Sequence, residues 1–257
     1  MIEVKDVRKT FKLSRQQRRE MGEEFTGTTI DAVAGISFTC QPGRIFTLLG
    51  PNGAGKTTTL RMIATMLKPS SGSISVAGHD VVSSGRDVRR NLGFLTGTTG
   101  LYDRLTPNEI VKYYADLNGI DSATFKKRRD ELFSRLGMED FASRRISKLS
   151  TGMRQKVSIA RTIIHDPSVI VFDEPTAGLD VIASKGIISL IREFREAGKT
   201  IIFSTHIMSE VSLLSDDLAI IHKGRLLYNG TYEAFEKNMK GRSLADEFIR
   251  LVEEAEK

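Results

Sequence analysis

The stretch GPNGAGKTT, Gly50 to Thr58, constrains this chain more than any other, because a loop of that pattern demands a strand before it and a helix after it. Both are legible. RIFTLL is a short β-prone run, and in KTTTLRMIATML the residues Leu60, Ile63, Ala64 and Leu67 recur at helical spacing. The nine residues match G-x4-G-K-[ST]. Glycines there let consecutive backbone NH groups turn inward as a nest, and the helix N-terminus adds its positive end, so such a loop binds phosphate oxygens. Gly50, Pro51, Asn52, Gly53, Ala54, Gly55, Lys56, Thr57 and Thr58 are therefore the candidate binding residues, with Lys56 a mobile point charge and Thr57 a hydroxyl suited to Mg²⁺.

A second unit of the same grammar lies downstream. VIVFDE, Val169 to Glu174, reads as an apolar strand, VIASKGIISLIREFREAG as a helix and KTIIFSTH as another strand. Strands alternating with helices predict an α/β fold with a parallel sheet and right-handed crossovers. In such a sheet Asp173 and Glu174 emerge at the carboxyl edge, beside the phosphate loop if their strand and the loop's strand are parallel neighbours. Asp173 is placed to serve Mg²⁺, and Glu174 to polarise a water attacking a γ-phosphate. His206 ends its own strand at the same expected edge, where it suits a γ-phosphate oxygen and that water. A structural histidine at a strand end is the competing reading.

Around this core the pattern changes. IEVKDV and GISFTC add strands near the N-terminus, and between them residues 12–28 form a polar, basic insert containing RQQRRE, expected as a solvated loop or exposed helix. From Leu101 to about His165 the chain reads as wholly helical, with Thr106 and Glu109 as a capping box and Pro107 at the first helical position. Phe125, Leu132, Phe133 and Leu136 share one face of the next helix. DDLAIIHKGRLLYNGTYEAF reads as two strands about Lys223-Gly224, followed by a polar helical end.

With 40% hydrophobic and 27% charged residues over 257 positions, the chain has the makings of an ordinary packed core. It has one cysteine, Cys40, expected as a buried strand residue in a reducing compartment. No apolar run approaches the ~20 residues that span a bilayer, and MIEVKDVRKTF lacks the form of a signal peptide. A net charge of +6 suits an anionic partner without choosing among nucleotide, nucleic acid and membrane surface.

The stretch LSTGMRQK, Leu149 to Lys156, carries a different signal. Ser150 is an N-cap candidate for a helix with Met153, Val157, Ala160, Ile163 and Ile164 on one apolar face. Together with Gly152 it makes a second anion site at a helix N-terminus, although an ordinary cap explains the same residues.

GPNGAGKTT, LSTGMRQKVSIAR, VIVFDEPTAGLD and STH, in this order and at these separations, resemble the nucleotide-binding subunit of ABC transporters over nearly the whole chain. That resemblance implies a P-loop NTPase (RecA-like) core at about 1–100 and 166–235, with an N-terminal antiparallel β-subdomain. It also implies a helical subdomain at about 101–165 and a C-terminal helical end at about 236–257. It makes Gly50 to Thr58 the Walker A loop, Asp173 the Walker B acid, Glu174 the catalytic glutamate and His206 the switch histidine. AGLD, ending at Asp180, becomes the D-loop at a dimer interface, and Phe11 an aromatic residue against adenine, where a core Phe is the alternative. Ser150 and Gly152 meet the γ-phosphate of ATP held by a second subunit.

The implied ligands are ATP and Mg²⁺. The implied partners are an integral-membrane permease subunit and a second ATP-binding subunit, as an ATP-dependent homodimer, and not nucleic acid. The place is the cytoplasmic face of the cell membrane.

Three positions depart from the family pattern: Thr151 stands for a Gly, Met153 for a Gln, and Gly97 for the Gln that relays nucleotide state to the membrane subunit. FLTG followed by LYDRLTPNE looks most like ABC-2 exporter cassettes and the sodium-export, NatA-type cassettes among them. A soluble ABC ATPase of the Fe-S assembly type, or a nucleotide-gated scaffold, are the other readings.

Overall fold

The computed structural model describes residues 1–14, 16, 18, 27–96 and 100–256, with the side chain of residue 182 excepted. Most of the insert 12–28, including Arg15 and Arg19, lies outside the described residues, as do Gly97, Thr98 and Thr99.

Two sheets share one core. The first is antiparallel in the order β2 (Thr29–Cys40), β1 (Ile2–Lys12), β4 (Ser71–Val76), β5 (His79–Asp80). The second runs β10 (Arg225–Thr231), β9 (Asp217–His222), β3 (Ile45–Leu49), β8 (Thr200–Thr205), β7 (Val169–Asp173), β6 (Leu92–Leu95). Its strands are parallel except β10, which pairs antiparallel with β9 at the edge. Every residue of β3, β7 and β8 is buried, as expected where both faces of a parallel sheet are covered. One face packs Phe46, Leu48, Val171 and Ile202 against Ile2, Val4 and Phe38 of the antiparallel sheet, with Phe38 and Phe46 stacked at 4.8 Å between ring centroids. The other packs Ile45, Ile170, Phe172, Ile201 and Phe203 against helices.

The strand order corrects one expectation. β7 is not the neighbour of β3, because β8 lies between them. The two motifs still meet, since α1 (Lys56–Ile63) projects across β8 and packs against β7. That helix is also shorter than its apolar spacing suggests. It ends at Ile63, Thr65 turns into the left-handed region at φ 60°, and Leu67 joins the same core from beyond the helix. After α2 (Gly85–Asn91), β6 completes the sheet edge.

Between β6 and β7 come α3 (Pro107–Leu117), α4 (Ser122–Leu136), two 3₁₀ turns (Glu139–Phe141 and Ile146–Lys148) and α5 (Thr151–Ile163). The region is thus helical with non-helical joints rather than helical throughout. Each helix starts where side-chain chemistry dictates. Thr106 and Glu109 form a complete capping box before α3, and Asp121 Oδ1 accepts from the amides of Ala123 and Thr124, both at 3.0 Å, before α4. Phe125, Phe133 and Leu136 are buried on one face of α4, with Leu132 partly buried beside them.

α6 (Val181–Glu196) connects β7 to β8, α7 (Met208–Leu214) connects β8 to β9, and α8 (Tyr232–Asn238) and α9 (Leu244–Ala255) follow β10. Cys40 is buried in β2, and burial pushes its thiol pKa up. Among the described residues no helix is long and apolar enough to cross a membrane.

Candidate nucleotide site

The loop between β3 and α1 has the backbone its glycines predict. Gly53 and Gly55 take φ values of 79° and 108°. At Gly55 a Cβ would stand 2.4 Å from the Ala32 carbonyl oxygen, so β2 closes against the loop and only glycine fits. The β9–β10 turn, packed on the same stretch of β2, supports it as well, with Gly224 donating its NH to the Ala54 carbonyl at 2.9 Å. Ala32, Pro51 to Thr58 and Glu174 line a cavity of 140 Å³.

Lys56 is 4% exposed, and its ammonium donates to the carbonyls of Gly50 (2.7 Å) and Pro51 (3.1 Å). Its third direction is taken by Glu174 Oε1 at 3.2 Å. The same Glu174 oxygen lies 3.2 Å from Nδ1 of His206, whose side chain is 45% exposed. One carboxylate oxygen thus joins a buried cation to a solvent-accessible imidazole at the carboxyl edge of the sheet.

Asp173 faces the other way. Its Oδ1 accepts from the Thr57 hydroxyl at 3.1 Å and from the Ser204 hydroxyl at 2.7 Å. Two hard oxygen donors, a hydroxyl and a carboxylate, stand together at the foot of the phosphate loop, a donor set that fits Mg²⁺, which takes one or two protein oxygens and keeps several waters. Glu174 holds a φ of 50°, a left-handed conformation that costs about 1–3 kcal/mol for residues other than glycine and persists only when its surroundings enforce it. Enforcement comes from β8, where the Glu174 amide donates to both the carbonyl oxygen (3.2 Å) and the hydroxyl (3.1 Å) of Ser204.

The remaining expected residues lie apart from this cavity. Ser150 caps α5, its hydroxyl accepting from the Met153 amide at 3.3 Å, and Gly152 lies near the start of α6, where an added Cβ would sit 3.5 Å from Ala183 Cβ. Asp180 caps α6, its Oδ1 accepting from the Ala183 amide at 2.8 Å. Phe11 is 37% exposed in β1 with the Lys9 ammonium 5.2 Å above its ring, so it is not a core residue. It pairs with Ile30, two residues before Ala32 of the cavity wall.

A profile of the ABC transporter family matches residues 33–177, over half of the chain. The chain belongs to the ABC transporter family. It is the ATP-binding, ATP-hydrolysing subunit type of that family, and its relatives include exporter subunits. It is 44% identical over 216 residues to ABC transporter ATP-binding protein NatA of Bacillus subtilis (strain 168), a match covering 84% of this chain and 88% of NatA. It is 37% identical over 213 residues to Nod factor export ATP-binding protein I of Ralstonia nicotianae, covering 83% of this chain and 64% of that protein. Among solved structures it superposes on a dimeric post-hydrolysis state of an ATP-binding cassette bound to ADP and Pi, at a TM-score of 0.77 and 25% identity, over 90% of this chain and 98% of that one.

Two side chains of this ABC ATPase went unread in the sequence. Ser204 organises both acids, yet a serine in STH carries no signal until the register pairs it with Asp173. Gln155 donates to the Pro175 carbonyl at 2.6 Å, tying α5 to the segment that follows Glu174. It stands two residues beyond the departing Met153, and only its place in LSTGMRQK could have drawn notice.

Proposed function

We propose that this ABC ATPase drives export of sodium through a separate integral-membrane permease, as an ATP-dependent homodimer on the cytoplasmic face of the cell membrane. The whole chain, 1–257, forms one ATPase unit with residues 101–165 as its helical subdomain. The likeness to NatA supports the sodium reading, and the dimeric ADP- and Pi-bound cassette supports the pairing of two copies.

The observation that carries the residue roles is the placement of Lys56, Glu174 and His206 about a single carboxylate oxygen at the mouth of the phosphate loop. Loop amides and Lys56 hold the β- and γ-phosphates of ATP, and Phe11 packs on the adenine. A γ-phosphate oxygen seated by Lys56 takes the place now filled by Glu174 Oε1, which frees that carboxylate to orient the attacking water. His206 donates to the γ-phosphate and steadies the same water. Thr57 and Asp173 hold Mg²⁺, which when bound neutralises charge on the phosphate oxygens. Ser150 and Gly152 of the second copy close over the γ-phosphate, with Asp180 on the path between the two sites.

Everted vesicles carrying the chain with the membrane protein that co-purifies with it test the cargo. ATP drives uptake of labelled sodium if the reading is right. Uptake of another cargo, with sodium unmoved, refutes it.

A further inference from the structure

Glu210 is a buried carboxylate that none of these roles uses. It lies on α7 at 5% exposure, four residues past His206, and no Lys, Arg or His among the described residues pairs with it. Its partners are two buried threonine hydroxyls: Thr176 donates to Oε1, and Thr205 donates to Oε2 at 2.5 Å. Thr205 Oγ1 in turn accepts the Ile207 amide at 3.0 Å, so the hydroxyl is held on both sides of His206. Thr176 stands two residues after Glu174, within a turn closed by the Ala177 amide on the Glu174 carbonyl (3.2 Å) and the Leu179 amide on the Thr176 carbonyl (3.1 Å).

A carboxylate only accepts, and each threonine has one hydroxyl proton to give, so the two hydroxyls and two oxygens match without remainder. The consequence is a clamp between the turn that carries Glu174 and the turn that carries His206. We infer that Glu210 is a positioning residue for hydrolysis, setting His206 against Glu174 by tying Thr205 to Thr176. This rests on the role given to His206 above. The pair of acceptor oxygens is itself part of the device. A glutamine would present an NH₂ to one hydroxyl, which must then turn to accept and leave its own proton unpaired in a buried site.

Glu210→Gln, assayed in the full-length protein with Mg-ATP, tests this. A positioning role predicts that kcat falls about tenfold while KM for ATP stays within about twofold, because a small misplacement of a catalytic group acts on the transition state rather than on ground-state binding. Combination with His206→Ala separates positioning from mere support of the fold. If Glu210 acts through His206, the double variant hydrolyses ATP no more slowly than His206→Ala alone. An unchanged kcat in Glu210→Gln, or a further full tenfold loss in the double variant, overturns the inference. Should Glu210→Gln fail to fold, Thr176→Val removes one tie at nearly constant shape, and a smaller loss of the same kcat-only kind is expected; a change confined to KM overturns the inference. If His206→Ala itself keeps full kcat, the role of His206 fails and this inference falls with it, whereas a slow His206→Ala beside an unimpaired Glu210→Gln refutes the clamp alone.

Discussion

Glu174 meets Lys56 and His206 through one oxygen, and its backbone is bent into place by Ser204. The two acids at the end of β7 therefore have separate supports, in keeping with the separate tasks proposed for them. Glu174→Gln should leave ATP binding intact and reduce turnover by at least about a hundredfold, with closed dimers accumulating on size-exclusion chromatography in ATP. Lys56→Ala should instead lose nucleotide affinity, measurable by calorimetry, since it removes the cation and leaves two loop carbonyls without their donor. Ser204→Ala is the sharper test of the local geometry. It deprives Asp173 of a 2.7 Å donor and the Glu174 amide of one of two acceptors in a fully buried place. A stability loss of about 1–3 kcal/mol in chemical denaturation is expected, accompanied by a lower kcat. Wild-type kcat in Ser204→Ala would show that the bend at Glu174 needs no such support.

Most elements were legible because their ends carry chemistry that works locally. Thr106, Ser150 and the turn Lys223-Gly224 mark boundaries in the sequence and in the structure alike. What was not legible depended on distant partners. The four-residue strand β6 is too short to show a period and exists because β7 pairs with it. The interposition of β8 between β3 and β7 is a property of chain topology that no single motif encodes. Much of the site was readable for the same reason as the caps, since the phosphate loop, Asp173 and Glu174 announce themselves within a few residues. Ser204 and Glu210 act across 30 or more residues, on Glu174 and Thr176 respectively, and stayed silent.

The C-terminal helix α9 gives a test at this scale. Glu247 accepts from both guanidinium nitrogens of Arg250 that face it and from the amides of Lys240 (2.9 Å) and Gly241 (2.8 Å). Arg250, followed by the backbone donors, holds its carboxyl at about 2, against 4.5 for the free group. A lowered folded-state pKa favours folding fully above about pH 4.5 and loses that contribution as pH falls towards 2. Glu247→Gln should consequently lower Tm at pH 7 and lower it less at pH 3. A gap in Tm that is the same at both values would dissociate α9 from this network.

At the scale of the whole molecule the decisive feature is separation. Lys56, Glu174 and His206 converge at one edge of the sheet, while Ser150 caps α5 and Gly152 lies in its first turn, both outside the cavity that the phosphate loop lines. On the proposed pairing, Ser150 and Gly152 supply the second half of a phosphate site whose first half is the loop of the other copy, so that one chain completes neither site and a two-fold pair completes both. Thr151 and Met153 alter the surface around this proposed second half without removing the Ser150 hydroxyl or Gly152 in the first turn of α5. The most direct test mixes two defects. Lys56→Ala and Ser150→Arg copies, differently tagged and isolated as a mixed dimer, bring one intact loop against one intact α5 turn. The account predicts that each variant alone is nearly inactive and that the mixed dimer regains up to about half the wild-type turnover, one composite site of two being whole. Turnover in the isolated mixed dimer no higher than in the single variants would contradict it.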